Sequence, residues 1–185
     1  MTIEQRLDVL ARCGLHLKEE FSVADLVDAW GREALDEADW DLALLCLGSA
    51  QEEPPWTPYS ENVWHFDTEC IEGDGSYVRI ARRMADMTRG SLPLADVQDH
   101  VDVDEETAWL SFTCQGKPVR IDCKVQDDWV DPGLFGYFVM LLGRCDPTKV
   151  YFYYDLGGQD CILGCVAVSE YRELQKVLPA VQELS

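Results

Sequence analysis

Basic side chains are scarce in this sequence: 15 Lys and Arg stand against 35 Asp and Glu, for a formal net charge of −20. Such a balance disfavours unaided contact with nucleic acid or an anionic membrane, and makes a basic protein the natural partner. Long hydrophobic runs are missing too, since no stretch approaches the ~18 apolar residues of a membrane span. The start, MTIEQRLDVLARCG, has charges throughout and none of the layout of a secretory signal. There are only three histidines, His16, His65 and His100, and the local pattern pairs none of them with a nucleophilic Ser or Cys. Gly-x-Gly-x-x-Gly and Walker-type phosphate loops are lacking as well. The expectation is a cytoplasmic, non-catalytic protein that holds no cofactor or metal and acts through its surface charge.

Cysteine, by contrast, occurs eight times, at Cys13, Cys46, Cys70, Cys114, Cys123, Cys145, Cys161 and Cys165. The spacings are scattered and the neighbours mostly apolar, so these read as reduced core thiols in a reducing compartment. With 185 residues and 47% hydrophobic side chains the chain can bury a sizeable core, as one domain or one domain with a helical appendage.

The clearest local statement is TAWLSFTCQGKPVRIDCKVQDDWVDP, residues 107–132. A two-residue turn at Gln115-Gly116 sets Phe112 opposite Val119, Leu110 opposite Ile121 and Ser111 opposite Arg120, so apolar residues share one face of a hairpin. Asp131-Pro132 then reads as an N-cap with proline at the first helical position, ahead of a buried helix GLFGYFVMLLG. Upstream, apolar spacing predicts helices near 3–13, 23–30 (capped by Ser22) and 38–47 (stopped by Gly48), which together suggest an N-terminal helical subdomain over 1–50. QEEPPWTPYSEN, within 51–62, reads as a Pro-rich linker carrying two exposed aromatics, Trp56 and Tyr59.

Residues 63–185 follow as one α+β core. It comprises a strand at VWHFDTECI, a turn at Gly73-Asp74-Gly75, a helix over 76–88, a weaker strand within 92–103, the hairpin, the buried helix, a second hairpin around Gly157-Gly158 and a closing helix up to Pro179. In the second hairpin a two-residue turn would set Asp155 against Asp160, so pairing is expected to stop near Tyr154 and Cys161. The fold class is α+β, with a mainly antiparallel sheet built from hairpins and covered by helices.

Three groups invite a chemical reading. His65, Asp67 and Glu69 share a strand face and could converge on a metal, but no second ligand cluster follows, and a solvated face explains them as well. Asp127, Asp128 and Asp131 are better explained by solvation and capping than by a metal site. The acidic runs are the remaining signal: Glu33, Asp36, Glu37, Asp39 and Asp41, then Asp96, Asp99, Asp102, Asp104, Glu105 and Glu106, then Asp127-Asp128. Taken singly these are ordinary solvated faces. Together with Trp56 and Tyr59 they offer a basic partner electrostatic steering and aromatic anchors.

The N-terminal FSVADLVDAWG helix, the short helix ending CLG, the Pro-rich link, WHFDTECIEGDGSY and QDDWVDPGLF resemble, in order and style, a group of bacterial immunity proteins encoded beside polymorphic toxins. The resemblance implies a cytosolic inhibitor that binds a cognate toxin domain, often the groove of a basic nuclease or nucleic-acid deaminase, and it assigns no site residues. The partner expected from it is one toxin domain per chain, with no direct nucleic-acid or membrane contact. Two rival readings remain: an acidic adaptor with no toxin partner, and an enzyme using either acidic group.

Overall fold

The computed structural model describes residues 1–185. Four short helices open the chain: α1 (Ile3–Arg12), α2 (Val23–Trp30), α3 (Arg32–Glu37) and α4 (Trp40–Gly48). Three of them begin where a polar side chain can satisfy exposed amides. Thr2 accepts from Gln5 N, Asp25 accepts from Ser22 N at 2.7 Å, and Asp39 accepts from Asp41 N. Helix α3 adds to the three expected; at six residues it is too short for its apolar spacing to declare it. After it come β1 (Val63–Asp67), α5 (Ser76–Met87), β2 (Leu94–Asp102), β3 (Thr107–Cys114), β4 (Lys117–Cys123), α6 (Gly133–Cys145), β5 (Lys149–Asp155), β6 (Asp160–Ala167), α7 (Val168–Val177) and β7 (Gln182–Glu183). The fold class is α+β, with two antiparallel sheets of order β1-β6-β5-β7 and β2-β3-β4.

The chain divides into two compact units, Met1–Phe66 with Val150–Glu183, and Asp67–Lys149 with Leu184–Ser185. In the first, the N-terminal helices share their core with the C-terminal hairpin and helix: Leu7, Leu10, Leu44 and Leu47 are buried in one cluster with Phe152, Ile162, Val166 and Leu174. The Pro-rich stretch belongs to this unit and is ordered. Bridges pair Leu17 with Ser60 and Ala50 with Pro58, and the buried Asn62 amide donates to Gly14 O (2.9 Å) and Cys165 O (3.0 Å). Tyr59, expected on the surface, is 5% exposed, with its ring 4.9 Å from Phe21 and 5.5 Å from Trp30. In the β5–β6 hairpin the strands run through Asp155 and Asp160, one residue beyond the expected stop at each side. The Asp155 carboxylate turns into the loop and accepts from Gly157 N at 2.8 Å.

In the second unit the β3–β4 register is the expected one, with Phe112↔Val119, Leu110↔Ile121 and Ser111↔Arg120. Gln115 and Gly116 take φ of 49° and 74°, the two left-handed residues of a type I′ turn, whose twist matches that of the strands. Helix α5 buries Tyr77, Ile80, Ala81, Met84 and Met87. Its N-terminus is held by a reciprocal clasp with β2: the Asp99 carboxylate accepts from Gly75 N (2.7 Å) and Val78 N (3.0 Å), while Asp74 accepts from Val101 N (2.7 Å). A carboxylate there also meets the positive end of the helix dipole. Asp131, 8% exposed, accepts from Lys124 N and Gly133 N, fixing the end of the hairpin to the start of α6. Helix α6 is not buried all round as expected: Leu134, Phe135, Phe138, Leu141 and Leu142 face inward, but Tyr137 and Met140 are 44% and 41% exposed.

Candidate functional site

In the first unit the acidic run lies on α3 and the start of α4, held in place by a side chain the sequence reading did not single out. Arg6, 7% exposed, donates to Leu35 O (2.9 Å), Asp36 O (3.4 Å) and Ala38 O, the carbonyls at the C-terminal end of α3. The cation therefore sits at the negative end of that helix and fixes it to α1. Asp36 is used internally, accepting from Ile3 N at 2.9 Å with Arg32 beside it at 3.8 Å. Asp39 caps α4, and Asp41 accepts from the Tyr154 hydroxyl; burial, and then Asp41, push that phenol up to about 12. Glu33 and Glu37 remain exposed and carry no salt bridge. Trp56 is 62% exposed in the same unit, and burial pushes the phenol of its expected companion Tyr59 up.

In the second unit the acids separate by what they bind. Asp99 is the helix cap described above, and Asp102 accepts from Glu105 N at 2.9 Å in the turn between β2 and β3. Asp104, Glu105 and Glu106 are exposed on that turn, with Glu106 at φ 51°. Asp96 is exposed at the irregularity in β2, also with positive φ. The remaining two, Asp127 and Asp128, sit at the centre of a tight turn closed by Trp129 N donating to Gln126 O at 3.1 Å. That turn is pinned from outside, because Ile71 N donates to Asp128 O and Val130 N to Thr68 O, both at 2.9 Å. It presents two exposed carboxylates without a salt bridge, and beside them the Trp129 indole, 42% exposed.

Trp129 is the residue the sequence reading passed over. Its signal was available: an aromatic flanked by acids, in a segment where the strand alternation has already stopped. Tyr137 and Met140 lie three residues apart on one face of α6, and the apolar run around them concealed that they point outward.

The groups with catalytic or metal possibilities are placed as follows. His65 Nε2 lies 3.7 Å from Asp160 Oδ1, while the Asp67 carboxylate accepts from Glu69 N at 2.8 Å. No three His, Cys, Asp or Glu side chains converge in a metal-ligating arrangement. A cleft of about 310 Å³ at the start of α5 is lined by Glu72, Gly73, Asp74, Gly75, Ser76 and Arg79, and Asp99 already occupies the Gly75 amide there. No helix is long and apolar enough to cross a membrane. Compared with protein-family models, with curated proteins and with solved structures, the chain matches none.

Proposed function

We propose that this is an immunity protein, which binds a cognate bacterial toxin domain one to one in the cytoplasm and covers the basic surface through which that toxin holds nucleic acid. The observation that carries the reading is the Gln126–Trp129 turn. Two exposed carboxylates and a half-exposed indole share four residues held against the 68–71 segment of the same chain, by Ile71 N donating to Asp128 O and the adjoining Val130 N donating to Thr68 O. A turn of this kind can place carboxylates where phosphates would sit against Lys and Arg, while the indole supplies desolvated contact area at little entropic cost. The net charge of −20 adds steering toward a basic target. The resemblance of FSVADLVDAWG, WHFDTECIEGDGSY and QDDWVDPGLF to immunity proteins supplies the class of partner.

The test is co-expression with the C-terminal domain of the product of the neighbouring upstream gene, scored by growth rescue and co-purification. The expected result is a stable one-to-one complex. Within it, Asp127→Lys with Asp128→Lys and Trp129→Ala should weaken binding by about 100-fold or more, as loss of a charged and aromatic hot spot does. Glu33→Lys with Glu37→Lys should slow association only a few-fold, roughly what a rim charge contributes. Full affinity in the turn variant would overturn the assignment of the turn, and absence of both rescue and complex would favour an adaptor with a different partner.

A further inference from the structure

Two thiols meet in the second unit. Cys114 is the last residue of β3 and Cys145 the last of α6, and their sulfurs are 3.9 Å apart. A disulfide needs about 2.05 Å, so closure calls for a movement of roughly 2 Å shared between two side chains. Both residues stand at element ends, where the backbone adjusts more easily than in a helix or strand interior. They differ in access: Cys114 is 5% exposed, whereas Cys145 is half-buried and open to a small reagent. Apart from this pair, Cys13, Cys46, Cys123, Cys161 and Cys165 are buried, leaving Cys70 as the other half-buried thiol.

We propose that Cys114 and Cys145 form an oxidation site that takes a small hydroperoxide, hydrogen peroxide in the simplest case, and closes to an intramolecular disulfide. The Cys145 sulfur attacks the peroxide O–O bond and keeps one oxygen as a sulfenic acid, while the other oxygen leaves with the thiol proton as water. The Cys114 sulfur then attacks the Cys145 sulfur, the S–O bond breaks, and the departing hydroxide takes the Cys114 proton to give a second water. In sum the two thiols lose two electrons and two protons, and one peroxide becomes two waters. Burial pushes the Cys114 thiol up to about 11, in keeping with a resolving role and not an attacking one. Cys145, half-buried where Cys114 is buried, is the sulfur that a small peroxide meets first.

The bond would close a loop that contains β4, the Gln126–Trp129 turn and α6 with its exposed Tyr137 and Met140. Oxidation would therefore tie down the segment that carries the exposed aromatics, and the proposal holds whether or not that segment binds a toxin.

The test uses the full-length folded chain exposed to millimolar hydrogen peroxide at pH 8, then denatured, alkylated and mapped without reduction. The expected product is the Cys114 peptide joined to the Cys145 peptide, about 2 Da below their summed mass. The thermal midpoint should rise by about 5 °C, and dithiothreitol should reverse both changes. Cys145→Ser should remove the link and the shift, and Cys70→Ser should keep them. Oxidation that stops at a Cys145 sulfinic acid with Cys114 still alkylated, or links no more frequent than those to other cysteines, would overturn the proposal.

Discussion

Gly48→Ala is expected to destabilise the first unit by at least about 3 kcal/mol, at the severe end of overpacking substitutions. A Cβ at this position would stand 2.4 Å from His65 N and 2.9 Å from Trp64 C, both backbone atoms of β1. Backbone inside a sheet cannot swing aside as a flexible side chain can, so α4 would have to lift away from the strand. Gly48 sits in the last turn of α4 in a conformation alanine also adopts, so the cost is steric and not conformational. The sequence suggested that Gly48 stops its helix; the structure gives it the further role of letting helix and strand backbones touch. Gly136→Ala is the matched control. It lies in α6 with nothing within 4 Å of the added carbon, and should be neutral or stabilising by about 0.5 kcal/mol. Urea unfolding of both variants measures the pair, and a Gly48→Ala protein within about 1 kcal/mol of wild type would contradict the close approach.

A second large effect is expected in alkali. Burial pushes the thiols of Cys46 and Cys161 up to about 12 in the first unit, and that of Cys123 up to about 11 in the second. They are 0%, 5% and 8% exposed, and ionising any of them in place would bury an unpaired charge. An unfolded thiol ionises near pH 8.5, roughly three units below the value in the folded chain for the first two. Below that pH both states hold the proton and stability is full. Above it the unfolded chain releases protons that the native chain keeps, so stability falls as pH rises toward the folded value. Each thiol contributes about 1.4 kcal/mol per pH unit in that window, so the first unit should lose about 3 kcal/mol per unit between roughly pH 9.5 and 11. Cys46→Ala should make the slope shallower by about 1 kcal/mol per pH unit, the share of a single thiol, whatever it does to stability at neutral pH. Denaturant midpoints that stay level from pH 8 to pH 10.5 would contradict the account.

What could be read from the sequence was whatever two local signals specified together. The β3–β4 register was legible because alternation on both strands and the Gln115-Gly116 turn chemistry demand the same pairing. Helix α5 was legible from Tyr77, Ile80, Met84 and Met87 on one stripe. The misses share a cause, which is that a partner distant in sequence decides the outcome. Tyr59 lies among prolines and reads as exposed, yet Lys18 N donates to Tyr59 O and Phe21 and Trp30 close over its ring. Asp99 reads as one acid in an acidic segment, but it caps a helix that begins 23 residues upstream. Arg6 looks like a surface residue of an amphipathic helix until α3, itself too short to foresee, brings its carbonyls to it.

The site follows the same logic. Of the acids singled out in sequence, Asp36, Asp39, Asp99 and Asp102 make hydrogen bonds within the fold, whereas Glu33, Glu37, Asp104, Asp127 and Asp128 keep exposed carboxylates free of salt bridges. Sequence composition cannot make that division, because capping and surface acids are chemically identical until their amide partners are placed. Trp129 belongs with the second group through its exposure and its position beside Asp127 and Asp128.

The most direct test of the central claim is the association rate constant with the proposed partner, the C-terminal domain that the co-expression experiment would identify, measured by stopped flow at low and high ionic strength. If exposed carboxylates steer this protein onto a basic surface, the rate should fall about tenfold or more as salt shortens the Debye length from roughly 30 Å to 8 Å, and the Asp127→Lys, Asp128→Lys variant should be slow already at low salt. A complex that forms at the same rate at both salt concentrations would contradict recognition through these acids, however tightly it binds.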